Sequence, residues 1–192
     1  MNVSTKLQTN NAEMDAFSAI ENRRSHGAVT NAPVAEAALA SILQAACWAP
    51  THKRTEPWRF HVFIEEGRDK LAAAIRESAE ENIAQKVYRA PVVIAVVSAP
   101  GRGKLNPPVW EDHAATAAAM QNMALATHAL GLAGYWRSGS ITEMPGVKKL
   151  LKVDEAYDDR ILGFFYIGHP QPESLPPERP KPDWKCKTTF YK

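Results

Sequence analysis

Apolar residues recur along this chain with two different periods, and the periods divide it into elements. In "APVAEAALASILQAACWAP", Leu39, Ile42, Leu43, Ala46 and Cys47 fall at i, i+3, i+4, i+7 and i+8. That spacing is one face of a helix, with Pro33 suited to its first turn and Pro50 closing it. Upstream, "MDAFSAIENRRS" sets Phe17 and Ile20 on one helical face and delivers two arginines and a serine at its end. "PWRFHVFIEE" alternates, sending Trp58, Phe60, Val62 and Ile64 one way, so it predicts a strand. "GRDKLAAAIRESAEENIAQKVYRAP" predicts a single third helix, polar on its exposed side. "PVVIAVVSAP" is continuously apolar and β-branched, as a strand covered on both faces must be.

The second half repeats the alternation. "WEDHAATAAAMQNMALATHALGLAGYW" carries eight alanines between Ala114 and Ala129, which predicts a helix approached closely by other backbones, central to a core or to a dimer interface. "TEMPGVKKLLKV" predicts a short helix opened by Thr142, and "RILGFFYIGHP" another buried strand. Residues 170–182 then hold six of the fourteen prolines, which excludes a helix or a central strand there. "DWKCKTTFYK" regains strand character at the end. A stiff arm that leaves the core and ends in an apolar strand suits docking on a partner subunit as well as lying over its own surface. The organisation expected is a loose tail over 1–13, one domain over 14–172, and an arm over 173–192.

Composition narrows the function classes. At 192 residues, 45% hydrophobic and 23% charged, the chain is an ordinary globular one, and a formal charge of +2 without a basic run gives no nucleic-acid footprint. The polar start reads as no secretory signal and no apolar run reaches membrane-spanning length, so a cytoplasmic location is expected, with no membrane partner. Cys47 and Cys186 lie far apart and form no metal or redox pair, and the six histidines are scattered, so no metal site is expected. Dinucleotide, P-loop and nucleophile-elbow fingerprints are lacking. His113 and His128 read as packing or surface residues. Glu111 and Asp112 fit an acid–base pair or the acids usual at a helix start.

Three segments carry candidate chemistry. Arg23, Arg24 and Ser25 fit two roles: cations that offset a helix dipole, or a phosphate clamp. "APTHKRTEPW" fits an ordinary connector, or a ligand loop in which Thr51 and His52 donate to ring atoms while Lys53 or Arg54 faces a phosphate. "GYWRSGS" offers a plane in Trp136, a two-pronged anion grip in Arg137 and a hydroxyl in Ser138, between glycines that let the backbone approach something closely or turn. It equally fits a tight turn with a packed tryptophan and a solvated arginine. Together the segments describe a pocket for a flat phosphorylated molecule.

The order of these motifs resembles the FMN-dependent nitroreductase family, and most of all its short NAD(P)H nitroreductase branch. The motifs are an early helix ending in "RRS", a helix running into "APTHK" and "PWRF", an Ala/Met-rich helix leading to "GLAGYWRSG", and a late "ILGFFYIGHP" strand. The likeness covers about residues 14–172. It implies an α+β fold, a mixed central sheet wrapped by helices, in an intertwined homodimer with FMN at the interface. Arg23, Arg24 and Ser25 would then hold phosphate and ribityl chain. Thr51 and His52 would lie near the ring, Trp48 would reach it from the other subunit, and Trp136, Arg137 and Ser138 would complete the phosphate side. Many members carry a further Arg after "RRS", where this chain has His26 and Gly27, and Ser-Asn-Asn where it has "THK"; His52 or Lys53 is the available substitute at the flavin N1/C2 edge.

The resemblance implies hydride transfer from NAD(P)H through flavin N5 to nitroaromatics, quinones or similar flat acceptors, with no protein nucleophile. The alternatives are another reaction on the same fold, such as dehalogenation, azoline oxidation or flavin cleavage, and a non-enzymatic flavin-binding or storage protein.

Overall fold

The two periods meet on one sheet. The structure, a computed structural model, describes residues 14–78, 81–102, 107–174, 176 and 178–192. Strands β1 (Trp58–Ile64), β2 (Val92–Ser98), β3 (Ala133–Arg137) and β4 (Arg160–Gly168) lie in the order β1-β2-β4-β3, each antiparallel to its neighbours. The mixed character is confined to one edge, where Ser25 makes a parallel bridge to Gly134 beyond β3. All seven β2 residues are buried, as its unbroken apolar run requires.

Alternation in β2 and β4 feeds two cores. Val92, Ile94 and Val96 with Phe165 and Ile167 meet helices α2 (Glu36–Cys47) and α5 (Val109–Ala129) through Leu39, Ile42, Met120 and Met123. Val93, Ala95 and Val97 with Phe164 and Tyr166 meet α3 (Gly67–Arg76) and α6 (Pro145–Leu150) through Leu71, Ile75 and Val147. Each fully buried large aliphatic contributes about 1.5–3 kcal/mol. The two remaining helices, α1 (Ala16–Asn22) and α4 (Glu81–Ala84), are short.

Several expectations give way for identifiable reasons. The third helix is α3 followed by α4 and a 3-10 turn at Gln85–Arg89. Ile64, which ends β1, pairs with Val92, which begins β2, so residues 65–91 must return to where they left. A straight helix over residues 67–91 would carry the chain about 37 Å away. Arg76 pins the fold-back through its ion pair to Glu81, 2.7 Å. Pro33 precedes the α2 cap at Ala35 rather than sitting in the first turn, and Cys47 is exposed. Thr142 does not open α6; Met144 is its cap, and the Thr142 hydroxyl donates to the Gly139 carbonyl, 2.9 Å.

"AGYWR" is a strand, β3, because β4 offers its open edge: Tyr135 pairs with Tyr166 and their rings stack 4.8 Å apart. The terminal "DWKCKTTFYK" has no neighbouring strand among the described residues and forms a 3-10 turn at Lys185–Lys187 with Trp184 edge-on to Phe190. Phe17 and Ile20, set by their spacing on one helical face, are 79% and 56% exposed, and only Ala19 of α1 is buried. The expected tail over 1–13 lies outside the described residues.

Candidate functional site

Helix α1 ends at Asn22, and Arg24 folds back on it: Nη1 donates to the Glu21 carbonyl at 2.6 Å and to the Arg23 carbonyl at 3.0 Å. The dipole role is therefore real for one nitrogen of Arg24. It leaves the rest of the fork, and the whole of Arg23, without a carboxylate among the described residues. Ser25 bridges Gly134, and the His26 N–H donates to the Gly134 carbonyl, 3.1 Å, so the segment is stitched to the β3 edge.

Beside it opens a cavity of about 390 Å³, lined by Arg23, Arg24, His26, Thr127, His128 and Gly134, with Pro170 and Pro172 across from them. Burial, then the Arg179 and Arg24 guanidiniums, pushes the Arg23 pKa down. Burial, then Arg23 and Arg24, pushes His128 down as well. His26 Nε2 and His128 Nε2 are buried with no hydrogen-bond partner among the described residues. Two guanidiniums without a carboxylate partner among the described residues and two orphaned imidazole nitrogens line a cavity that an anion would complete. A cavity this size, with Asn22, Gln171 and Ser174 as further polar groups on an otherwise apolar lining, fits the phosphate end of a flat nucleotide.

The β3 end is arranged differently. Arg137 is half-buried and its Nη1 donates to the Tyr166 hydroxyl, 3.2 Å, on the sheet face that also holds Tyr135. Burial raises both tyrosine pKa values. Trp136, on the opposite face and 43% exposed, donates its indole N–H to the Leu162 carbonyl at 2.9 Å and lies against Gly163. Ser138 is exposed. The close approach that needs Gly134 is internal: a Cβ there would stand 2.8 Å from the Tyr166 carbonyl oxygen.

The third segment leaves α2. Trp48 is 78% exposed, in a shallow apolar patch with Ala16, Ile20, Ala45 and Leu125. The loop after Pro50 is strained: Lys53, Arg54 and Glu56 have φ of 45°, 60° and 46°. Left-handed backbone in non-glycine residues costs about 1 kcal/mol or more each. Two contacts to the first turn of α5 hold it, His52 Nδ1 to Glu111 Oε2 at 2.7 Å and the Thr55 hydroxyl donating to Asp112 Oδ1 at 2.8 Å. Glu111 and Asp112 thus do not pair with each other as acid and base. Thr51 is half-buried and Lys53 exposed.

Of the sequence-predicted residues, the fold brings Arg23 and Arg24 to one cavity with Ser25 at its edge. It holds Arg137 apart from them and places Thr51 and His52 elsewhere again. His52 sits at the start of α5 and the arginines at its end, about 25 Å away at 1.5 Å per residue between Glu111 and His128. Sequence patterning missed His26 and His128 as lining residues of the arginine cavity, and Arg179 as a charge that acts on Arg23. His26 lies one residue past "RRS" and carried a signal; His128, on an alanine-rich face, and Arg179, in a proline-rich arm, carried none.

Residues 20–169 match the model of the nitroreductase family. The chain is 36% identical over 168 residues to the Escherichia coli K12 protein named "Putative NAD(P)H nitroreductase YdjA", covering 82% of this chain and 90% of that one. A nitroreductase-like family protein from Bacillus cereus superposes with a TM-score of 0.80 at 27% identity, covering 95% and 99% of the two chains. A Desulfovibrio desulfuricans structure of this kind, solved in complex with FMN, gives a TM-score of 0.68 at 32% identity, covering 88% and 94%. Among the described residues no helix is long and apolar enough to cross a membrane.

Proposed function

Because the chain belongs to the nitroreductase family, we propose that it is an FMN-dependent NAD(P)H oxidoreductase that reduces nitroaromatic, quinone or similar flat acceptors at a site built by two copies of itself. The observation that carries this is the cationic cavity. Among the described residues Arg23 and Arg24 have no carboxylate partner and His26 Nε2 and His128 Nε2 no hydrogen-bond partner, a deficit that a phosphate fills and that a neutral ligand leaves standing.

Length supports a two-chain site. The ring-side candidates and the phosphate-side candidates lie at opposite ends of α5, farther apart than one flavin nucleotide reaches. A twofold that sets α5 antiparallel to its copy brings the loop of one chain to the arginines of the other. Exposed Phe17, Ile20 and Trp48 and the small residues of α2 and α5 supply the apolar contact, and Trp184, Phe190 and Tyr191 of the arm over 173–192 have a partner surface to bind. The domain proper is residues 14–172.

In this assignment the flavin supplies two-electron chemistry, and the protein binds, orients and excludes water. Arg23 and Arg24 take the phosphate. Trp136 walls the site near β3 with its indole fixed by Leu162. His52 presents a ring nitrogen to the polar edge of the isoalloxazine, in place of the arginine common in the family.

The decisive test is the purified protein itself. It should be yellow, release FMN and no FAD on denaturation, and bleach within a turnover of anaerobic NADH or NADPH addition. A colourless protein that also fails to take up added FMN contradicts the proposal. Yellow protein that neither nucleotide reduces indicates a flavin carrier instead.

A further inference from the structure

Two consecutive acids at the start of α5 face a strained loop, and helix-dipole complementarity explains neither contact. Asp112 is 1% exposed, and its Oδ2 has no hydrogen-bond partner among the described residues. A carboxylate serving only the dipole gains nothing from that burial and would sit in water. Its other oxygen accepts from Thr55, inside a loop with three left-handed non-glycine residues out of four. Such backbone persists only where the surroundings over-determine it. The determining contacts here are Thr55 to Asp112 and His52 to Glu111.

We infer that Glu111 and Asp112 are positioning residues for the ring end of the flavin site: they clamp the 51–56 loop on α5 and fix which nitrogen of His52 meets the ligand. The inference rests on the flavin assignment above. A carboxylate only accepts, so the nitrogen facing Glu111 Oε2 across 2.7 Å, Nδ1, must carry the hydrogen. The His52 side chain is 40% exposed, and with Nδ1 engaged by Glu111, Nε2 is the ring nitrogen left to meet a ligand. In the neutral ring that atom accepts, and its complement on an isoalloxazine is the N3–H. When His52 is protonated it donates, and its complement is a carbonyl oxygen or N1. Glu111 therefore fixes Nδ1 as a hydrogen-bearing nitrogen and leaves Nε2 to meet the ring edge, an orientation that a free histidine does not define. Asp112 holds the loop that carries it.

Long-range proton–nitrogen NMR of the histidines in the protein as purified reads the tautomer, and titration of FMN and riboflavin reads the ring end independently of the phosphate. Wild type should show His52 with hydrogen on Nδ1. Glu111→Ala should shift it toward the Nε2–H form and weaken FMN and riboflavin by the same factor, about tenfold, the size expected when one hydrogen bond to an ordered group is lost. Glu111→Gln, whose carbonyl still accepts from Nδ1–H, should restore both. Asp112→Ala should weaken both ligands alike while Asp112→Asn, which keeps an acceptor for Thr55, recovers most of the loss. A wild-type His52 with hydrogen on Nε2 overturns the inference. So does a Glu111→Ala variant with altered tautomer whose flavin affinities stay within about twofold of wild type. A wild type that takes up neither ligand, with the tautomer as stated, refutes the flavin assignment and the ring-edge role with it, and leaves Glu111 an orienter of His52 alone.

Discussion

Arg24 spends one nitrogen on the carbonyl ends of α1, and Arg23 beside it is crowded by like charge and burial. Arg137, the arginine whose neighbours in sequence look most like a ligand grip, already donates to the Tyr166 hydroxyl on another face of the sheet. The two positions should therefore separate in a phosphate-specific assay. Arg24→Ala removes a charge-assisted contact and should weaken FMN by about 2–4 kcal/mol, roughly 30- to 1,000-fold, while riboflavin changes by less than about twofold. Arg137→Ala should leave the ratio of FMN to riboflavin affinity within about twofold of wild type. Quenching of flavin fluorescence on titration measures both. A selective loss of FMN in Arg137→Ala would move the phosphate to β3.

At the scale of elements, β3 is the part that ties the arginine segment to the sheet. Ser25 and His26 bond to Gly134, and Gly134 in turn has no room for a side chain against the Tyr166 carbonyl and the Phe165 ring. Gly134→Ala should push β3 off β4 and cost about 1–3 kcal/mol, read as a lower melting temperature together with weaker flavin retention. Unchanged melting would show that the strand pair yields freely. The strand itself was hidden in the sequence, where two glycines and an arginine around Tyr135 and Trp136 suggested a turn; its existence depends on the β4 edge, a partner about thirty residues away. By contrast β2, β4, α2 and α5 were legible because their own composition decides them: a run of valines buried on both faces, or apolar residues at helical spacing. The break between α3 and α4 was not, because it obeys a return constraint, Ile64 opposite Val92, that no local pattern records.

For the whole molecule, what the chain leaves exposed is as informative as what it buries. Its early helix shows Phe17 and Ile20, α2 ends on an exposed Trp48, and the arm finishes in exposed Trp184, Phe190 and Tyr191, with Trp184 and Phe190 edge-on to each other. The candidate residues obey the same logic, since "RRS" and "THK" looked like one site in sequence and lie at two ends of α5 in space. Sequence order carries residue types faithfully but not which chain supplies them. Hybrid dimers test this directly. One tagged chain carries Arg23→Ala and Arg24→Ala, a second carries Thr51→Ala and His52→Ala, and co-expressed hybrids are isolated through both tags. A site shared between chains leaves each hybrid with one intact site and one doubly damaged site, so the account predicts FMN bound at wild-type affinity to about half the wild-type stoichiometry, although either variant homodimer binds weakly. Hybrids that bind no better than the parent homodimers would leave every site with the lesion of its own chain and contradict a flavin held between two copies of this chain.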